Sequence, residues 1–175
     1  MPIKSKLLFI LIGDDKTGKT TFQKFLIENL HNLSYQKLEV NLGFPIKHAQ
    51  YNGIHNGISY SNRSIQEKLD VYKSIDEYFS KHFNPKDIAV ISSHLNFADV
   101  EEMIRHGKAK YYNVIGVFFT NSIMYSPDRN SKISGLNWDE RLVVENPHAT
   151  GDVITKQLQE NAESFVKMLI KRTNI

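Results

Sequence analysis

The stretch Leu7-Leu8-Phe9-Ile10-Leu11-Ile12-Gly13-Asp14-Asp15-Lys16-Thr17-Gly18-Lys19-Thr20 decides how this chain is read. Its first six residues are an unbroken apolar run, the pattern of a strand buried on both faces within a parallel sheet. The run ends at glycine, and Gly13–Thr20 satisfies G-x-x-x-x-G-K-[ST]. Glycines at those places let backbone N–H groups turn inward around phosphate oxygens, and the following helix adds the positive end of its dipole. Residues 19–33 supply that helix, with Phe22, Phe25, Leu26, Leu30 and Leu33 at helical spacing. By chance the pattern appears in about half a percent of chains this long. The spacing therefore predicts a nucleotide site in which Gly13, Asp14, Asp15, Lys16, Thr17, Gly18, Lys19, Thr20 and Thr21 hold ATP. Lys19 reaches the β/γ-phosphates, the Thr20 hydroxyl binds Mg²⁺, and Thr21 touches the α-phosphate.

Outward from this stretch the pattern alternates. Lys37–Leu42 reads as a short second strand and residues 43–63 as a long polar loop. Ser64–Phe83 reads as one long amphipathic helix closed by Asn84-Pro85. Ile88–Ile91 is the third strand. Asn96–His106 is a short helix stopped by Gly107. Val114–Phe119 is the fourth strand, residues 121–140 a polar segment, Leu142–Val144 the fifth strand, and a last helix follows Asn146-Pro147. Strands alternating with helices imply an α/β domain with a five-stranded, mostly parallel sheet. Ligands in such sheets bind at the carboxyl ends of the strands.

Composition narrows the class. At 175 residues one domain is expected, residues 1–175, and no cysteine is present. That removes disulfides, thiolate metal sites and cysteine nucleophiles. Net charge is +3, short of the bias that argues for nucleic acid. No apolar run is long enough for a membrane span, so a cytoplasmic protein without a membrane partner is expected. His48 and His55 share the long loop without acidic company and make no metal site. Arg105, His106, Lys108 and Lys110 read as cations at a helix end.

A phosphate loop specifies a nucleotide and not a reaction. GTPases need N-K-x-D, and Asn84-Pro85-Lys86-Asp87 has the wrong order. Hydrolytic motors end the third strand in an acid, where this chain has Ser92-Ser93-His94-Leu95. A small phosphotransferase fits best.

The loop resembles that of the thymidylate kinases, among nucleoside-monophosphate-kinase-like proteins, in carrying Asp15 and Lys16 before Gly18-Lys19-Thr20. Phe44-Pro45-Ile46-Lys47 is similar to that family's F-P-x-R. The resemblance implies a P-loop NTPase three-layer sandwich and transfer of the ATP γ-phosphoryl to a deoxynucleoside monophosphate, with ATP and Mg²⁺ as cofactors. It implies acceptor contacts from Asp15, Phe44 and Lys47, with residues 43–87 as the acceptor region and 121–141 as a short lid-like segment. Arg63, Tyr72, Ser93 and His94 are further acceptor candidates, Arg129 and Arg141 are candidate transition-state arginines, and Asn146 lies where adenine is expected. Each has a plainer alternative. Tyr72 is otherwise a packed core tyrosine, His94 a helix cap, Lys47 a surface lysine, and Arg141 a partner of Glu145 or Asp139. The sequence departs from the family at Ser92-Ser93-His94, where the family has Asp-Arg.

Two other functions stay open. One is a kinase for a hydroxyl of a nucleoside, modified base or nucleic acid, with Asp15 or Glu39 as base. The other is a non-catalytic nucleotide-binding module. A nucleotide or nucleoside-type small molecule is the expected partner, nucleic acid is less favoured, and a homodimer is compatible with the sequence.

Overall fold

A computed structural model describes residues 2–34, 41–147 and 151–175, apart from the side chain of Asn62. Six strands form one sheet among the described residues: β1 (Lys6–Ile12), β2 (Leu42–Phe44), β3 (Ile58–Ser64), β4 (Ile88–Ser93), β5 (Tyr112–Phe119) and β6 (Glu140–Val144). Their order across the sheet is β2-β3-β4-β1-β5-β6. Every neighbouring pair is parallel except β2 with β3, which is antiparallel. The helices are α1 (Lys19–His31), α2 (Leu69–Tyr72), α3 (Ile75–Glu77), α4 (Phe97–Ala109), α5 (Thr120–Tyr125), α6 (Pro127–Ser134) and α7 (Asp152–Thr173).

Strand alternation builds two cores. Leu7, Phe9 and Leu11 of β1 pack with Phe22 and Leu26 of α1 and with Phe165 and Leu169 of α7 on one face. Leu8, Ile10 and Ile12 point to the other face, against Val100 and Met103 of α4 and against Ile75 and Tyr78. Helix, sheet, helix is the resulting layering, with both faces of the sheet covered.

Three sequence expectations change. Among the described residues the sheet has six strands and not five, because β3 occupies the end of the supposed 43–63 loop. Its Ile58 and Tyr60 are buried, but Ser59, Ser61 and Ser64 between and after them disguised the alternation. Of the expected Lys37–Leu42 strand, residues 37–40 lie outside the described residues, and β2 begins at Leu42. The 64–83 helix is broken. A 3₁₀ turn (Ile65–Lys68) leads into α2, Lys73 takes φ +70°, and Ser74 then caps α3 by accepting from Glu77 N–H at 3.0 Å. A π turn (Tyr78–His82) finishes the segment. Helical spacing survived the break because each short turn still buries its apolar residues.

Gly107 does not stop a helix but lies inside α4. A Cβ there would meet Leu8 Cδ2 at 2.7 Å and Val114 at 2.8 Å, so this glycine lets α4 close onto the sheet. The 121–141 segment contains α5 and α6, packed on the sheet. Asn130 is buried and donates to Ser122 O at 3.0 Å, and the Trp138 indole N–H donates to Ile133 O at 2.8 Å. No described helix is long and apolar enough to cross a membrane.

Candidate functional site

From β1 the sheet runs one way through β4 and the other through β5, so a crevice opens at the carboxyl end of β1. Residues 13–18 occupy it. Gly13 N–H donates to Ser93 O at 3.2 Å and roots the loop on β4. The Thr17 hydroxyl donates to Asp14 O at 2.6 Å and folds the loop on itself. Gly18 takes φ +103°, where a side chain is strained, and a Cβ would lie 2.8 Å from Leu158 Cδ1. The chain then enters α1 with its dipole aimed at the crevice.

Lys19 is 8% exposed, and its ammonium donates to the carbonyls of Gly13 and, at 3.0 Å, Asp14. No carboxylate lies within ion-pair distance of it among the described residues. Burial pushes its pKa down to about 8, and the charges of Glu67, Asp15 and Asp14 only partly oppose that. A buried cation held by carbonyls alone suits an anionic ligand. Beside it is a cavity of about 470 Å³ lined by the loop from Asp15 to Thr21, with Ser64, Glu67, Ser92 and Asn121. Ile154, Thr155 and Leu158 of α7 close the apolar side. These residues fit a nucleoside triphosphate: glycines at the tight points, a lysine and two threonines at the helix start, and an apolar flank for a base.

The structure sorts the sequence-predicted residues. Asp15, Lys16, Thr17, Gly18, Lys19, Thr20 and Thr21 all line the cavity. Asp14 turns the other way, accepting from Ser126 Oγ at 3.3 Å and facing Arg129 at 3.8 Å. Arg129 therefore reaches the loop, but it also donates to Leu95 O at 2.7 Å and serves as a brace. Asn146 is fully buried and spends its amide on Thr17 O at 3.0 Å, so it holds the loop up and offers no exposed edge to adenine. Asn121 donates to the same carbonyl at 3.1 Å.

Among the acceptor candidates, His94 comes to the site. Its Nε2 lies 3.4 Å from Asp15 Oδ1 and 3.8 Å from Glu67 Oε1. Ser93 is fully buried and its hydroxyl donates to His94 O, so Ser92, one residue earlier, faces the cavity in its place. Arg63 sits on β3 next to the cavity residue Ser64 and is exposed.

Phe44, Lys47, Tyr72 and Arg141 are not brought there. β2 is antiparallel to β3, so Phe44 pairs with Ile58, which in turn pairs with Ile88 at the amino end of β4. The Phe-Pro-Ile-Lys stretch thus lies at the end of the sheet opposite the loop. Tyr72 is 4% exposed, with ring centroids 4.8 Å from Tyr78 and 4.9 Å from His82, and has no free face for a base. Arg141 lies within β6 opposite Gly116 and donates to the carbonyls of Ser134 and Leu136, not to Glu145 or Asp139. Glu39 lies outside the described residues.

Glu67 was missed. It belongs to the 3₁₀ turn after β3, and with β3 read as loop and 64–83 as helix, nothing placed it at a strand's carboxyl end.

Neither a family model nor a curated protein matches this chain. Among solved structures it is similar to a de novo designed protein of P-loop NTPase fold, determined by solution NMR. That likeness covers 93% of this chain and 92% of the other at 15% identity, with a TM-score of 0.42.

Proposed function

We propose that this chain is an ATP- and Mg²⁺-dependent phosphotransferase acting on a nucleotide- or nucleoside-type small molecule. One observation carries the reading: the buried, carbonyl-held ammonium of Lys19 at the mouth of a cavity whose floor is the glycine loop. Bound MgATP supplies the transferable γ-phosphoryl group and the neutralising metal charge. Lys19 holds the phosphate chain, Thr20 offers a hydroxyl to the metal, and loop N–H groups orient the phosphates. Gln23 keeps α1 aligned with the strands, donating to Ser61 O and to Ser92 Oγ, both at 2.9 Å.

The cavity's charges bear on the acceptor. Its cationic side chains are Lys16 and Lys19, and Asp15 and Glu67 form an acidic wall. While that wall holds no cation, a hydroxyl can be anchored on it and a phosphate dianion is repelled by it. Transfer to a hydroxyl is therefore preferred to transfer to a deoxynucleoside monophosphate. The exposed Arg63 beside Ser64 is the feature that favours the monophosphate.

The deciding assay follows ADP and labelled product with MgATP and, in turn, deoxynucleosides, deoxynucleoside monophosphates and single-stranded DNA, using Lys19→Ala as control. Transfer to a hydroxyl, lost in the variant, supports the preferred acceptor. Transfer to a monophosphate selects the second. ATP binding without transfer to any of them defeats both and leaves a nucleotide-binding module.

A further inference from the structure

We propose that Asp15, Glu67 and His94 form a four-coordinate site for a borderline divalent cation such as Zn²⁺, separate from the metal position at Thr20. The three side chains come from three parts of the chain: the loop after β1, the turn after β3 and the residue that follows β4. One ligand atom from each lies within 4.8 Å of the others.

Spacing is the first argument. His94 Nε2 stands 3.4 Å from Asp15 Oδ1 and 3.8 Å from Glu67 Oε1. Both separations exceed the about 2.7–2.9 Å of a charge-assisted hydrogen bond. Metal–ligand bonds of about 2.0–2.2 Å give a tetrahedral edge of about 3.4 Å, which matches the Asp15 separation and falls short of the Glu67 one. An octahedral edge, near about 3.0 Å, is shorter than either.

Backing is the second. His94 N–H donates to Gln66 Oε1 at 3.1 Å. The Gln66 amide donates to Ser93 Oγ at 2.9 Å and Asp99 Oδ2 at 3.2 Å. The residue before Glu67 thus pins the backbone of His94 and ties the turn after β3 to the chain after β4.

Charge is the third. No lysine or arginine forms an ion pair with Asp15 or Glu67 among the described residues, so two carboxylates face one imidazole without a fixed cation between them. The other cluster of this kind, Asp76, Glu102 and His106, differs in that respect. There the Arg105 guanidinium stands 3.4 Å from both Glu102 Oε1 and His106 Nε2 and takes the place of an ion. A His-carboxylate-carboxylate set suits Zn²⁺ or Co²⁺. Asp15 and Glu67 line the cavity, which leaves the fourth position to water or to an acceptor oxygen.

The site rests on three side-chain positions and not on the nucleotide reading, and calorimetry can separate the two. Nucleotide-free full-length protein is titrated with Zn²⁺, and Co²⁺ loading is followed by its visible absorption, intense only when four-coordinate. One Zn²⁺ per chain is expected. His94→Ala, Glu67→Gln and the exposed Asp15→Asn should each weaken it by more than roughly tenfold at unchanged melting temperature. Lys19→Ala and His106→Ala should leave it intact. Wild-type affinity in His94→Ala overturns the site, as does loss confined to His106→Ala. ADP titrations on the same proteins keep the readings apart: Zn²⁺ without ADP leaves this site standing, and ADP without Zn²⁺ removes it alone.

Discussion

The side-chain amide of Asn146 donates to the carbonyl oxygen of Thr17 at 3.0 Å, tying the segment after β6 to the loop after β1. The same residue's backbone N–H donates to Thr120 Oγ1 at 2.7 Å, so three parts of the chain meet at one buried asparagine. Asn146→Leu leaves the backbone bond in place and strips the amide from the loop. Denaturant unfolding should show a loss of about 1–3 kcal/mol, the cost of leaving buried polar groups unpaired. ADP affinity should fall with it, because the Thr17 carbonyl then keeps the Asn121 amide and loses that of Asn146.

Lys19 should give ADP affinity a pH dependence. Its pKa is pushed down to about 8 by burial, from 10.5 in an unfolded chain. Anion binding needs the ammonium, so ADP affinity should be flat below pH 7 and fall roughly tenfold per pH unit above pH 8. Calorimetry near pH 8 in buffers of different ionisation enthalpy should record proton uptake on binding. Stability of the free protein moves the opposite way. Between pH 8 and 10.5 the unfolded state binds the extra proton, so stability rises across that window, and Lys19→Met should flatten the rise.

Gly18 should resist substitution. Alanine there meets both a strained φ of +103° and the Leu158 side chain at 2.8 Å. A cost of about 1–3 kcal/mol in thermal or chemical unfolding is expected, accompanied by weakened ADP binding.

Tyr72 and Lys47 separate core from site. Tyr72→Ala should cost about 3–5 kcal/mol, because a packed ring is removed from between Tyr78 and His82. Lys47→Ala should change neither stability nor ADP binding, since its side chain is exposed at the opposite end of the sheet. An acceptor KM raised by Lys47→Ala alone would contradict that placement.

What could be read from sequence was whatever had a strong period. β1, β4 and β5 are continuous apolar runs buried on both faces, and the loop between β1 and α1 has a motif whose glycines are needed for its geometry. β3 was hidden because serine fills buried positions there, Ser59 and Ser61 each donating a hydrogen bond to a backbone carbonyl. The direction of β2 was illegible for another reason. A three-residue strand has no period, and antiparallel pairing turned the Phe44–Lys47 stretch away from the glycine-loop cavity. Asp15 and His94 were recognised singly, while their convergence with Glu67 depends on a 3₁₀ turn that helical spacing concealed.

The central place of β1 has a consequence for the order in which the molecule can be built. Leu7 pairs with Ile88 on one side and with Asn113 on the other, so β1 is flanked by partners made much later. On a ribosome, β1 waits with both edges open until β4 has emerged, and the long separations make its closure slow. The glycine loop is translated well before Ser93 and Asn121, which hold it from the ends of β4 and β5. Any chain shortened before Phe119 would carry the motif without the cradle.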